Sequence, residues 1–436
     1  MRSLARLVLV AGLVLFAMSS AWGAERFPPP DFTGGHVMPE TTTPEVSPRT
    51  VGWIDVVLLA VGLAFASWIS IRQRSRAALV VLSLVSLAYF GFWKQGCVCA
   101  IGSVQNVALG VADSSYAVPL TVMAFFALPL VFGLIWGRGF CAGVCPHGAI
   151  QDLVLVKPVK VPGWLDEALR VGPWIYLGLG ILLAATGGLF IICKFDPFVG
   201  IFRMTGSRFM MVTGAALLVL SMFVGRPYCR YLCPYGALMG LVSRVAKWRP
   251  TVTPDNCTQC RLCESACPFG ALTKGTAGGV AAPGSGRRRV MILLIGIPVG
   301  ALVFGWIGGR VGTASMAWHP AGELAELLVL EKSGALGDER PDELVAFYHS
   351  SGNHEAAFAA AAAAESRAAK LGWLIGAILG MVFAVKIARA FYPARLVDYE
   401  TDSGRCVSCA RCYSACPYEL VRRGIPVTLP EGGERA

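Results

Sequence analysis

The sequence predicts a polytopic α-helical membrane protein with a duplicated helix-pair core and a small cysteine-rich domain split in two. Three observations carry that expectation. The 436 residues are 55% hydrophobic and only 15% charged, too little charge for an ordinary soluble domain. A thirteen-residue stretch holding two cysteines returns 88 residues further along, from Cys141 to Cys229. Eight of the 15 cysteines fall in two runs of the same spacing, with a mostly apolar segment between them.

Taken in order, residues 1–23 have the form of a secretory signal peptide. Arg2 and Arg6 precede an apolar run from Leu7 to Met18, and Ala21-Trp22-Gly23 stands before Ala24. An uncleaved first span is the alternative. Residues 24–50 are rich in Pro and Thr and read as a flexible exported segment. Seven apolar runs follow, near 52–71, 77–93, 117–136, 173–193, 208–225, 290–308 and 371–391. Each suffices for a helix to cross a core of ~30 Å, and helices are required because lipid cannot satisfy an open backbone.

Charge sets the expected orientation. With the N-terminal segment exported, the internal loops hold Arg72, Arg74 and Arg76, and ten Lys or Arg in 226–289. The segment 309–370 carries nine Asp or Glu against five Lys or Arg and is expected outside. The loop 194–208, with Lys194, Arg203 and Arg208, runs against this pattern. The formal charge of +11 is that of a membrane protein with basic internal loops, so no nucleic-acid partner is expected.

The two cysteine runs are Cys257-x2-Cys260-x2-Cys263-x3-Cys267-Pro268 and Cys406-x2-Cys409-x2-Cys412-x3-Cys416-Pro417. That is the bacterial ferredoxin spacing, in which the fourth cysteine of each run serves the other cluster. The expected sites are therefore Cys257, Cys260, Cys263 and Cys416 for one 4Fe-4S cluster, and Cys406, Cys409, Cys412 and Cys267 for a second. Zinc is disfavoured because both runs end in the same Cys-Pro. Both halves are expected in the cytoplasm, the two spans between them forming an excursion out and back, so one split bacterial-type dicluster ferredoxin domain can assemble. The corresponding segments are a membrane core over 51–250, ferredoxin halves over 251–275 and 400–420, and a two-span insertion over 288–391.

The repeat matches Gly137-Arg138-Gly139-Phe140-Cys141-Ala142-Gly143-Val144-Cys145-Pro146-His147-Gly148-Ala149 with Gly225-Arg226-Pro227-Tyr228-Cys229-Arg230-Tyr231-Leu232-Cys233-Pro234-Tyr235-Gly236-Ala237. Each copy follows an apolar span, which predicts two helix pairs of the same orientation. The paired cysteines, Cys141, Cys145, Cys229 and Cys233, are candidates for an additional redox site or a further iron–sulfur centre in the membrane core. On a helix each pair would share one face; the proline after the second cysteine fits a helix start instead. Simple packing of small buried cysteines is the competing reading. Arg138 and Arg226 suit an anionic group or an interfacial anchor. Cys97, Cys99 and Cys193 are expected to face outward, as a disulfide or as an external redox or metal site.

The Cys-x3-Cys-Pro pairs at 141–146 and 229–234 and the run from Cys257, taken together, resemble the membrane polyferredoxins related to NosR and NapH. The resemblance covers roughly 75–270 and resumes at 405–418. It implies a polytopic protein in the bacterial cytoplasmic membrane that moves electrons between a quinone pool or cytoplasmic donor and an exported enzyme. Membrane lipids and partner subunits (an exported flavoprotein, a cytochrome c or a reductase) are the implied partners, with flavin or quinone entering only through a partner. NosR-like proteins carry an exported flavin-binding domain before their spans; some 27 residues stand here between the signal and the first span.

Residues 309–370 read as a small external helical hairpin, with alanines running from Ala356 to Ala364. His319, His349 and His354 are candidates for binding a metal or a partner cytochrome, with solvent-exposed side chains of no such role as the preferred reading. No Cys-x-x-Cys-His for haem c occurs, and no apolar span carries a His pair for haem b. Asp55, in the first span, is read as a solvated interfacial acid, and Lys386 lies near the end of the last. The function expected is electron transfer through 4Fe-4S clusters, without a catalytic acid or base. An assembly or maturation factor supplying electrons or metal is the alternative. A redox regulator and a transporter fit less well, for want of an output domain and of buried charge.

Overall fold

The computed structural model describes residues 49–96, 99–252, 260–273, 285–336, 341–350, 352–391 and 400–426. The signal, nearly all of the 24–50 segment, Cys97 and Cys257 lie outside these residues.

Helix α1 (Arg49–Trp68) continues as a π-helical turn to Gln73. The chain reverses at Arg74, whose φ of 54° is left-handed, and Ser75 caps α2 (Arg76–Ser86) by accepting from the Ala78 amide. A second π-helical turn carries α2 on to Trp93. Helices α3 (Ala100–Ala112) and α4 (Leu120–Trp136) lead to a π-helical turn at Phe140–Val144 and α5 (Pro146–Val154). Then come α6 (Gly163–Leu169), α7 (Gly172–Ala185), α8 (Ile191–Lys194), α9 (Pro197–Arg203) and α10 (Arg208–Ser221). The second cysteine pair lies on α11 (Pro227–Tyr231) and at the start of α12 (Pro234–Val242). Helix α13 (Leu262–Ala266) and strand β1 (Leu272–Thr273) precede the long α14 (Ser285–Ala314). The chain ends with α15 (Pro320–Lys332), α16 (Asp342–Ser350), α17 (His354–Phe391), β2 (Glu400–Thr401), α18 (Arg411–Ala415) and α19 (Pro417–Arg422).

Five helical segments are long and apolar enough to cross a membrane: Thr50–Gln73, Arg76–Trp93, Gly163–Ala185, Val290–Trp318 and His354–Ala388. A sixth results if α9 and α10, bent by 101° at the left-handed Met204, count together. The expectation of seven full spans is thus reduced among the described residues. The run 117–136 becomes the 17-residue α4, at the lower limit for crossing, and carries Pro129 inside it. The run 208–225 becomes the 14-residue α10, too short alone.

Both ends of the bundle carry charge, unequally. At one end, Asp55 accepts from the Tyr89 hydroxyl at 2.7 Å and pairs with Lys94 at 2.8 Å. Asp55 is only 4% exposed, which corrects the expectation of a solvated acid: the intramembrane carboxylate is offset by a nearby ammonium. The far ends of the same two helices, at Arg74 and Arg76, meet the 400–426 segment instead.

The 309–370 segment differs from a simple hairpin. Helices α15 and α16 form a small unit around Leu328, Leu344 and Phe347. The alanine run belongs to the opening turns of the 38-residue α17, which continues into the last span. Helices α14 and α17 pack along much of their length through small residues, as membrane helices do. His319 caps α15 and meets the Thr186 carbonyl at 2.9 Å, and His354 stands against Tyr348 and Phe347.

Candidate cysteine-lined redox path

The second cysteine run builds its site from short, strongly turned segments. Ser408 and Ala410 take left-handed φ values of 55° and 58°, and Cys412 opens out on α18. Cys416 precedes Pro417 at the start of α19, where proline suits the first helical position. In the first run Arg261 is left-handed at 61°, α13 carries Cys263, and Cys267 ends it. The two runs meet directly: α13 packs on α18, and β1 pairs antiparallel with β2 in the register Leu272↔Thr401.

Four thiols gather where the runs join. Phe269, Ala271, Val407 and Cys409 form a small core against which Cys267, Cys406 and Cys141 pack. Burial pushes the Cys406 thiol up to about 12, with Cys409 and Cys267 adding to it. Burial likewise raises Cys412, with further contributions from Cys409, Cys406 and Cys267. The amides of Phe269, Gly270 and Ala271 donate to the Cys267 sulfur. Cys267, from the first run, therefore sits with Cys406, Cys409 and Cys412 from the second. Of the other expected set, Cys260 is exposed, Cys263 buried and Cys416 half-buried.

Among the described residues no three His, Cys, Asp or Glu side chains converge as on a single metal ion. A 4Fe-4S cluster asks for something else, since each thiolate binds its own iron. Four gathered thiols, Cys409 buried and Cys267, Cys406 and Cys412 half-buried, fit that group. Cluster binding deprotonates them and is therefore coupled to proton release.

The other four cysteines occupy the two repeat copies. Cys141 lies in the π-helical turn and Cys145 at the start of α5; Cys229 lies on α11 and Cys233 at the start of α12. Each proline thus opens a nine-residue helix, and the paired cysteines stand on successive elements rather than on one helix face. Burial raises the thiols of Cys145 and Cys233 well above their ordinary value; Cys229 and Cys141 are charge neighbours of both, and Cys145 of Cys233. Gln151 donates to the Cys229 sulfur at 3.3 Å, and the Gly236 amide to Cys233 at 3.3 Å.

The copies interlock reciprocally. Arg226 reaches across to donate to the Cys141 carbonyl, and Arg138 to the Gly236 carbonyl at 3.3 Å. A Cβ on Gly148 would stand 3.1 Å from both the Arg226 guanidinium and the Cys141 carbonyl. A Cβ on Gly236 would stand 3.0 Å from the Cys229 carbonyl and 3.5 Å from the Arg138 guanidinium. Glycine recurs in both copies because each guanidinium passes over it.

Ion pairs fasten the ferredoxin-spaced segments to this core. Asp152 pairs with Arg411 at 2.9 Å, with Arg226 at 3.3 Å and with Arg76. Burial opposes ionisation of Asp152, but Arg226, Arg411 and Arg76 outweigh it and hold the carboxyl far below the usual range. Asp166 gathers Arg230 at 2.7 Å, Arg170 at 2.9 Å and Arg405 at 3.8 Å. Arg138 donates to the Gly404 carbonyl, Arg230 to that of Pro268, and Arg170 to that of Phe269, all at 2.9–3.0 Å.

Sequence reasoning missed a buried polar set on the other side of the core cysteines. His147 meets Asp196 at 3.0 Å, Tyr228 donates to the same carboxylate at 3.2 Å, and the His147 and Tyr228 rings stack. The signals were present, since His147 lies in the repeat and Asp196-Pro197 is a helix-start pair. Beside His147 runs a cavity lined by Phe90, Phe125, Phe140, Cys99 and Cys145. Cys99 begins α3, and Cys193 is exposed on α8.

Fold and site together define a membrane-embedded iron–sulfur protein, and comparison with known proteins agrees. Residues 118–164 and 209–252 match one 4Fe-4S binding domain family, and residues 250–273 match another. The first match covers both Cys-x3-Cys-Pro pairs, the second the whole run from Cys257. The chain is 27% identical over 180 residues to YccM of Escherichia coli (strain K12), whose name places it in electron transport, covering 37% of this chain and 49% of YccM. It is 28% identical over 214 residues to the protein NirI of Paracoccus denitrificans, covering 46% of this chain and 31% of NirI. It is 25% identical over 215 residues to the regulatory protein NosR of Pseudomonas aeruginosa, covering 46% of this chain and 30% of NosR. The chain thus spans half or less of these relatives. No solved structure matches it. The chain is similar to the membrane-associated, NosR-like 4Fe-4S proteins, as its cysteine motifs imply.

Proposed function

We propose that this protein relays electrons across the bacterial cytoplasmic membrane, between a quinone pool or cytoplasmic donor and an exported redox partner. One 4Fe-4S cluster is held by Cys406, Cys409, Cys412 and Cys267, and a second by Cys257, Cys260, Cys263 and Cys416. A further centre lies among Cys141, Cys145, Cys229 and Cys233. Bound clusters supply one-electron steps whose potential is set by burial and by hydrogen bonds to sulfur.

The observation that carries this reading is Cys141, which packs both against the small core that holds Cys409 and against the main core that holds Cys145 and Cys233. Sulfur is therefore placed in series from the charged end of the bundle into its interior. The protein's own part is to exclude water from these thiols, to present amide donors to them, and to hold the ferredoxin halves in register through Asp152 and Asp166. The interlocked repeat copies support a duplicated core, and the arginine-rich end that receives the ferredoxin halves supports a cytoplasmic position for them.

Iron and labile sulfide analysis of the purified chain tests the proposal. About eight of each per chain are expected from the two ferredoxin clusters, and about twelve with the core centre filled. Replacing both Cys141 and Cys229 by alanine should bring twelve back to eight. A protein that folds and holds no iron would overturn the relay.

A further inference from the structure

Beyond the relay, two cysteines at the opposite end of the bundle have no assigned part. Cys99 and Cys193 come from elements far apart in sequence, yet in this structure they are free thiols and charge neighbours on either side of Gly102. The amides of Gly102 and Ile101 donate to the Cys99 sulfur, and a Cβ on Gly102 would lie 3.0 Å from the Cys193 sulfur. Beyond the glycine's own helical turn, the Cys193 sulfur is the one atom that Cβ would meet, so glycine there leaves room for the second sulfur.

The segment bearing Cys193 is held in place. Gln105, one turn along α3, is fully buried, and its Oε1 accepts from the amides of Ile192 at 2.9 Å and Cys193 at 3.3 Å. The Tyr176 hydroxyl donates to the Ile191 carbonyl at 3.3 Å. These bonds fix α8 against α3 with Cys193 exposed and Cys99 half-buried. Cys99 also lines the cavity that Cys145 lines. The sulfur series of the proposed relay is thereby extended by Cys99 and ends, at Cys193, on the surface.

We propose that Cys99 and Cys193 form a redox-active disulfide that receives electrons from the core and passes them to a disulfide of a partner protein. The inference rests on the relay reading for its electron source. In the first half-cycle the Cys99–Cys193 bond takes up two electrons, delivered singly through the iron–sulfur centres, and two protons from water, and breaks to two thiols. In the second, the Cys193 thiolate attacks the partner disulfide and forms a mixed disulfide, releasing one partner thiol. Cys99 then displaces the second partner thiol and restores the bond. An exposed attacking sulfur beside a sheltered resolving one is the arrangement this exchange needs.

The test uses the full chain in detergent with Cys97→Ser, so that the pairing is unambiguous. The protein is oxidised, then incubated anaerobically with reduced methyl viologen. Differential alkylation read by mass spectrometry follows Cys99 and Cys193, and electron paramagnetic resonance follows the iron–sulfur centres. Both cysteines should pass from protected to alkylated after the centres are reduced. Cys145→Ala should abolish this transfer while dithiothreitol still opens the bond. Gly102→Val should displace Cys193 and abolish protection after oxidation, with the iron–sulfur signals unchanged. A bond that only dithiothreitol opens, although the centres are reduced, would be structural and would overturn the inference. Equal alkylation before and after reduction would overturn it too. Absence of any iron–sulfur signal would instead sink the relay reading.

Discussion

Arg226 donates through its guanidinium to the backbone carbonyl of Cys141, which belongs to the other copy of the repeat. The side chain is 1% exposed, lies 5.9 Å over the Phe269 ring and pairs with Asp152. One positive charge thus touches the first core copy, precedes Cys229 of the second by three residues, and faces the ferredoxin-spaced segment. Replacing it by methionine keeps the volume and removes the charge, leaving Asp152 with Arg411 and Arg76 alone. Breaking a buried pair costs about 3–5 kcal/mol; the two remaining partners place the expected loss near the lower bound. Thermal unfolding in detergent measures it. Arg226→Lys should recover less than half, since an ammonium lacks the planar fork that reaches both the carboxylate and the carbonyl.

The glycines beneath the two guanidiniums make a paired prediction. Gly148→Ala and Gly236→Ala each press a methyl against a carbonyl of the cysteine-bearing turn, at 3.1 and 3.0 Å. Overpacking of this kind costs about 1–3 kcal/mol. Both variants should lower the unfolding temperature similarly, and the iron attributed to the core centre should fall while the ferredoxin iron persists. Iron analysis of each variant beside the Cys141 and Cys229 double variant tests this.

Much of this arrangement is legible in the sequence. The spacing of Cys257 to Cys267 and Cys406 to Cys416 foretells that the runs share an environment, because cysteines so placed bind more than they pack. The proline after Cys145 and Cys233 foretells two helix starts. What pattern reading could not supply is the depth of each charge. Asp55 lies within an apolar run, and only the folded chain brings Lys94 and Tyr89 to it from the next helix. Asp152 and Asp166 look like ordinary loop acids until six arginines from four separate segments converge on them. The count of spans fails for a related reason: hydropathy measures length along the chain and is blind to the 101° bend after Arg203.

Asp152 also gives a pH dependence with a definite sign. Its carboxyl is held below the ordinary 3.8 by Arg226, Arg411 and Arg76 against the opposing effect of burial. A depressed folded-state value contributes stability that is full well above 3.8 and is lost as the pH falls below it. Asp152→Asn removes that contribution at every pH. The difference in unfolding free energy between the native chain and Asp152→Asn should therefore be constant from neutral pH to about 5 and shrink in more acid solution. Unfolding of the two proteins by denaturant across that range measures it. A difference that grows on acidification would mean that Asp152 does not anchor the ferredoxin-spaced segment by charge.

Cys267 offers the sharpest test of how the split halves combine. It lies in the first run, but its charge neighbour is Cys409, and it packs with Cys406 and Cys409 beside Phe269 and Val407. If these thiols hold one cluster across the join, Cys267→Ala and Cys406→Ala each remove about four of the iron atoms, and the double variant removes no more than either alone. Cys263→Ala combined with Cys267→Ala should remove about eight, because those two cysteines, four positions apart, then serve different clusters. Two self-contained runs would reverse the pattern: the first pair would be additive and the second would not. Non-additivity is the expected behaviour of residues that act as one unit, and iron counting on four variants separates the two arrangements without any assumption about the partner.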